Sequence, residues 1–337
     1  MHRLSDYDYR LPKELIAKYP VEPRDRCRLM VLDRKDKSIQ HRIFRDILDY
    51  LRKGDLLILN DTKVIPARLI GKKETGAKIE IFLLKPVYEN VWEVLIKNIK
   101  RVKEGQKVII SDDFHVKLLE KYKEGKAVVQ LIGKDTQSLI NKYGHIPLPP
   151  YIEREDEEKD KKLYQTVFAR KEGAVASPTA GLHFTEELLN NLQKKGVKTA
   201  FLTLHVGLGT FRPITVEDIT KHKMHEEYYQ IPDETIDLIK QTKDKGRSVI
   251  AVGTTVVRTL ETYAQTGSKE GFSNIFIYPP YRFKIVNSLI TNFHLPKSTL
   301  LLLVSAFAGR EFILKAYEEA VKKRYRFFSY GDAMLII

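Results

Sequence analysis

The sequence predicts an α/β fold: a larger α/β domain with mainly parallel strands, interrupted by an inserted small antiparallel β-barrel domain. Three observations carry that expectation. Six short β-type runs crowd between residues 64 and 132, strands and helices alternate from about residue 173 onward, and the N-terminal stretch holds two further strand-like runs. At 337 residues the chain exceeds the ~100–150 of a common single domain, so two domains are expected. Residues 1–62 and 148–337 are assigned to a discontinuous α/β domain and residues 63–147 to the barrel; three tandem domains are the alternative partition.

In chain order, residues 29–32 and 56–59 read as the first strands of the α/β part. The barrel runs are 64–70, 78–84, 91–96, 107–110, 115–119 and 127–132, punctuated by Gly71, Gly76, Asn90, Gly105, Asp112-Asp113 and Gly125. The mixed-charge run 153–162 reads as a solvated connector. Thr185 is placed to cap a helix with Leu188, Leu189 and Leu192 on its apolar face, stopping at Lys194-Lys195-Gly196. A strand at 199–206, a helix at 233–245 and a strand at 248–252 follow. Thr255 is placed to cap a helix over 256–264, and 274–277 reads as a strand. Ser298 caps an apolar helix ending at Gly309, and residues 311–323 form an amphipathic helix with Phe312, Ala316, Tyr317 and Ala320 on one face.

Lys and Arg number 58 against 44 Asp and Glu, a net charge of +14, and the barrel segment is itself basic. Such an excess suits a polyanion such as RNA, and equally a Lys/Glu-rich solvated surface. Cys27 is the only cysteine, which excludes an intrachain disulfide and a Cys-based metal cluster and fits a reducing, cytoplasmic compartment. The N-terminus lacks an apolar signal region. The longest apolar run, 299–308, is half the ~20 residues of a membrane span, so no membrane contact is expected. No self-complementary apolar stripe argues for assembly, and the chain reads as a monomer.

Three loops combine His with hydroxyls and small or rigid residues. They are Ser177-Pro178-Thr179-Ala180-Gly181-Leu182-His183, Thr203-Leu204-His205-Val206-Gly207 running on to Arg212-Pro213, and Thr291-Asn292-Phe293-His294-Leu295-Pro296. Histidine transfers protons near neutral pH, and helix N-termini with hydroxyls bind anions. Each His alone could be a hydrogen-bonded structural residue; three in matching strand-to-helix loops point to a shared site. Gly253-Thr254-Thr255 with Arg258 is a second anion-binding arrangement, a helix cap with a surface Arg being the alternative. Asn60-Asp61-Thr62 closes a strand at the domain junction, where Asp61 could act as a general acid, bind a ribose hydroxyl or cap a turn. Gly207-Leu208-Gly209 is no dinucleotide fingerprint, because Arg212-Pro213 stands where the helix should begin. His222 and His225 have metal-ligand spacing but lack the second half of a site, so no metal is assigned. The basic-aromatic stretches 281–284 and 322–328 pair cations with stacking surfaces, as single-stranded RNA binders do.

Together these segments resemble one family closely, the S-adenosylmethionine:tRNA ribosyltransferase-isomerases of queuosine biosynthesis. The resemblance covers nearly the whole chain. It runs through residues 4–9, Pro23-Arg24-Asp25, 59–68, 144–151, 178–185, 205–213, 290–299 and 328–333. Three positions depart from the family pattern: Cys27 and Val256 stand where Ser is expected, and Pro280 where Gly is.

The resemblance implies transfer and isomerisation of the ribosyl portion of S-adenosylmethionine onto 7-aminomethyl-7-deazaguanine in a tRNA anticodon, giving epoxyqueuosine-tRNA, adenine and methionine. S-adenosylmethionine is then a co-substrate, and no other cofactor is implied. His183 or His205 is the expected base for the proton beside the sulfonium, and Asp61 the carboxylate contacting adenine or ribose. Thr179, Thr254, Thr255 and Arg258 form the expected anion anchor, with Asn60, Gly181, Arg212 and His294 completing the pocket. A non-catalytic RNA-binding protein and a metal-dependent hydrolase are the rival readings.

Overall fold

The computed structural model describes residues 2–207 and 214–337. Arg28–Leu32 (β1) and Ile39–Ile43 (β2) pair as a hairpin, and Leu56–Asn60 (β3) enters the sheet interior. Thr62–Val64 (β4) leads directly into the barrel strands Arg68–Lys72 (β5), Lys78–Tyr88 (β6), Val91–Ile96 (β7), Lys107–Ser111 (β8), Phe114–Lys121 (β9) and Lys126–Ile132 (β10). After a helix at Thr136–Tyr143 (α1), Lys171–Ala174 (β11) returns beside β4. Then follow Glu186–Lys194 (α2), Lys198–Leu204 (β12), Glu227–Gln230 (β13), Asp233–Asp244 (α3), Val249–Val252 (β14), Thr254–Thr266 (α4) and Glu270–Ser273 (β15). Ser288–Asn292 (β16), Thr299–Ala308 (α5), Arg310–Lys322 (α6) and Ala333–Ile336 (β17) complete the chain.

Nine strands form one twisted layer in the order β15-β13-β12-β3-β14-β16-β17-β1-β2. Its centre, β12-β3-β14-β16, is parallel throughout, as is the β17–β1 pair. The remaining pairs are antiparallel, so the sheet is mixed, with the parallel strands at its heart. The pleat explains why the inner strands are continuously apolar. Leu56 and Ile58 point into one core while Leu57 and Leu59 point into the other, and Val249/Ala251 alternate with Ile250/Val252 in the same way. The barrel closes in the order β10-β7-β6-β5-β8-β9 around its own core of Leu69, Ile81, Val94, Val116 and Val129. The run expected at 64–70 is split: Val64 ends β4, and the barrel begins at Arg68, beyond Pro66, which has no N–H to offer a ladder.

Thr185 and Ser298 cap α2 and α5 as expected, accepting from the amides of Leu188 and Leu301. Thr255 does not cap. Gly253, at φ 94, turns the chain so that α4 starts at Thr254 and Thr255 falls in its first turn. Residues 274–277 are not a strand either, because β15 ends at Ser273, whose hydroxyl meets Thr262. The run 153–162 is not merely solvated: Asp160 is 0% exposed, held by both guanidinium NH groups of Arg154 and by the Tyr330 hydroxyl. Its alternating charges pair locally and bury one member.

Candidate active site

Because β12, β3, β14 and β16 are adjacent and parallel, their C-terminal ends open onto one edge of the sheet, where ligands bind in folds of this kind. Asn60-Asp61, His205–Gly207, Gly253–Thr255 and Asn292–His294 all lie there. Residues 177–183 fold over the end of β16, where the Thr179 hydroxyl donates to Asn292 Oδ1 at 3.0 Å.

Two spaces open at this edge and share Val206. The first is a narrow pocket of ≈ 100 Å³ among Ser177, Thr179, Thr254, Thr255, Thr291 and His294. The N-terminal turn of α4 faces it, with its unbonded N–H groups. Ser177 Oγ and Thr255 Oγ1 are buried here without a hydrogen-bond partner among the described residues. Buried hydroxyls are usually hydrogen-bonded, so these two are available to a guest in an otherwise mainly apolar pocket. His294 also lines it. Its Nε2 meets Thr291 Oγ1 at 2.9 Å, its amide donates to the Tyr317 hydroxyl, and its carbonyl accepts from Tyr9. Burial lowers its pKa to about 3, so it is a neutral hydrogen-bonding group.

The second space is a cleft of ≈ 910 Å³ between the barrel and the α/β body, and His205 lines it. The imidazole stacks on Tyr228 with ring centres 5.7 Å apart and 20° between planes. Gly173 covers the ring, since a Cβ there would lie 2.9 Å from it. His205 Nδ1 is 2.8 Å from Thr62 Oγ1, which sits 3.5 Å from the Lys171 carbonyl. A hydroxyl proton directed to that carbonyl leaves Oγ1 to accept Nδ1–H and puts the ring's lone pair on Nε2. Burial lowers the His205 pKa, opposed by the nearby Asp61 charge and assisted by Lys171.

His183 is placed differently. It lies behind the narrow pocket, packed on Phe44, with both ring nitrogens engaged. Asn292 Nδ2 donates to the Phe328 carbonyl at 3.0 Å, which fixes the amide orientation, and its second proton goes to His183 Nε2 at 2.9 Å. Nδ1 therefore carries the proton and faces Cys27 Sγ at 3.2 Å. Burial lowers the His183 pKa to about 3, with Arg326 and Arg24 adding to it. Cys27 is buried too, and burial pushes its thiol up.

A family model described as queuosine biosynthesis protein matches residues 4–336. The chain belongs to the queuosine biosynthesis protein family. A relative in Sulfurihydrogenibium sp. (strain YO3AOP1), named S-adenosylmethionine:tRNA ribosyltransferase-isomerase, is 70% identical over 336 residues, spanning 99% of this chain and 100% of the relative. One of the same name in Aquifex aeolicus (strain VF5) is 56% identical over 335 residues, with 99% and 100% covered. A crystal structure of S-adenosylmethionine tRNA ribosyltransferase from Thermotoga maritima matches with a TM-score of 0.57 at 44% identity, covering 98% of this chain and 100% of that one.

For this queuosine biosynthesis family member, the structure distributes the remaining sequence-predicted residues as follows. Asn60 clamps β3 to β12: its amide donates to the Leu204 carbonyl and accepts the Leu204 amide, both at 3.0 Å. Asp61 is buried one residue on, accepting from the Thr203 hydroxyl at 2.7 Å. Gly181 is needed for packing, as a Cβ would meet the Phe168 ring at 2.7 Å. Arg258 points away from the narrow pocket into a buried ion pair with Glu227, whose other oxygen accepts the Gly207 amide at 3.0 Å. Arg212 lies outside the described residues. Sequence reading missed Glu227, and it singled out the segments holding Ser177 and Thr62 without giving either residue a role of its own. Glu227 opens a strand beside another Glu, and which hydroxyl of a loop turns into the site is set only when the sheet places it. Among the described residues, no group of three or more His, Cys, Asp and Glu is arranged to hold a metal, and no helix is long and apolar enough to cross a membrane.

Proposed function

We propose that this chain transfers and isomerises the ribosyl moiety of S-adenosylmethionine onto 7-aminomethyl-7-deazaguanine in tRNA, releasing adenine and methionine and leaving epoxyqueuosine-tRNA. The observation that carries this is the full-length similarity to ribosyltransferase-isomerases, at 70% identity for one relative. The geometry supports it with a narrow pocket carrying buried hydroxyls and a larger cleft that meets it at Val206. S-adenosylmethionine acts as co-substrate and no further cofactor takes part. The enzyme works as a cytoplasmic monomer.

The roles follow from the chemistry. A proton must leave the carbon beside the sulfonium, whose positive charge stabilises the carbanion. His205 is the base, because its lowered pKa keeps it neutral at physiological pH and its Nε2 edge has no partner among the described residues. His183 positions the site instead, holding Asn292 and, through it, Thr179. The α4 N-terminus with Thr254, Thr255 and Ser177 holds the methionine carboxylate, and His294 adds a neutral hydrogen bond. Asp61 contributes its charge to His205. Arg258 acts through Glu227 on Gly207. The test is incubation with S-adenosylmethionine and tRNA carrying the precursor base. Stoichiometric adenine release is expected, and tight tRNA binding with no adenine released would return the non-catalytic reading.

A further inference from the structure

The barrel–body cleft is far larger than the narrow pocket, at ≈ 910 against ≈ 100 Å³. One wall is aromatic. Phe272 on the edge strand β15 is 62% exposed and packs edge-on against Tyr228, which in turn stacks on His205. An exposed Phe continuous with a stack of rings is a surface awaiting a flat partner. The barrel wall supplies Trp92, half-buried on β7 between Pro86 of β6 and Val129 of β10. The carboxylates lining the cleft are mostly committed. Glu93 pairs with Lys85 and Lys126, Glu172 with Lys63, and Glu227 with Arg258. Glu226 is exposed and in no ion pair among the described residues.

We propose that this cleft is the subsite for a guanine-type nucleobase extruded from the RNA, stacked between Trp92 and the Phe272–Tyr228 wall and read along its edge by Glu226. A guanine-type edge presents two adjacent N–H donors, which the two oxygens of one carboxylate accept together. Enzymes that modify a base take it out of the stack and hold it against aromatic faces, and His205 lines the same cleft as the base would. The inference rests on the reaction proposed above and assigns the place of its RNA substrate.

Trp92 is the only tryptophan, so its fluorescence reports the cleft alone. Titrating the protein with tRNA carrying the precursor base quenches it saturably. The same tRNA with an abasic site at that position leaves it near the level of free protein. Trp92→Ala raises KM for tRNA roughly tenfold or more while KM for S-adenosylmethionine stays put. Trp92→Phe recovers most of the loss, which separates stacking from misfolding, and Glu226→Gln shows the same selective rise. Equal quenching by the abasic tRNA, or an unchanged tRNA KM in Trp92→Ala, overturns the assignment. Adenine released at full rate without quenching sinks the cleft and spares the reaction; quenching without adenine release supports the cleft and sinks the reaction.

Discussion

At the scale of single residues, His183 and His205 separate by what surrounds them. His183 spends both nitrogens on Asn292 and Cys27, whereas His205 keeps one edge toward the cleft. His205→Ala should therefore slow adenine release by about 10²–10⁴-fold with little change in melting temperature. His183→Ala should lower the melting temperature first, because it leaves a cavity and strips Asn292 of a buried acceptor. Calorimetry beside the adenine assay reads both. His183 and His294 are held at about 3, below the ordinary 6.5, so between those values the unfolded chain binds more protons than the folded one. Stability thus rises with pH through that window and falls as the medium is acidified from 6.5 toward 3. Each group contributes a slope of up to about 1.4 kcal/mol per pH unit. His294→Gln should flatten the slope of urea-unfolding free energy by roughly that amount. The sequence exposed all three histidines but could not rank them. Cys27 and Asn292 stand 156 and 109 residues from His183, and only the folded sheet brings them to its ring.

Among elements, the decisive one is the short strand β11. Gly173 sits there at φ 141, a region that side chains rarely adopt, with its missing Cβ facing the His205 imidazole. Gly173→Ala should push the ring off Thr62 and cost about 10²-fold in adenine release, since small displacements of reacting groups are expensive. Backbone strain at this φ lowers the melting temperature as well, so the rate is read well below the transition; an unchanged rate there would mean the ring does not matter. Elements were legible where burial is continuous or capping is local. Strands β3 and β14 read as apolar runs, and α2 and α5 read from Thr185 and Ser298. They were misread where long-range pairing decides, as at 274–277, or where a glycine moves the helix start, as at Gly253.

The whole molecule packs one core on each face of the sheet and one inside the barrel, with a smaller apolar cluster around Val64, Ile146, Tyr164 and Ala174 and a set of polar contacts beside it. Arg68 on the first barrel strand reaches Glu80, Glu155 and Asp156, and Asp156 also holds His145. Beside it the Arg154–Asp160 pair is fully desolvated on the carboxylate side. Asp160→Asn removes the charge from that pair while Arg154 keeps Glu157 at 3.8 Å, and should cost roughly 1.5–3 kcal/mol in denaturant unfolding, the worth of charged hydrogen bonds. The alternating charges of 153–162 hid this, because composition cannot say which member of a charge run turns inward. The sole thiol, Cys27, is 2% exposed beneath the site and touches His183. A maleimide can reach it only while that region is open, so its labelling rate under native conditions is a clock for opening events. Bound S-adenosylmethionine should slow the clock in proportion to occupancy, giving a binding isotherm that needs neither RNA nor turnover.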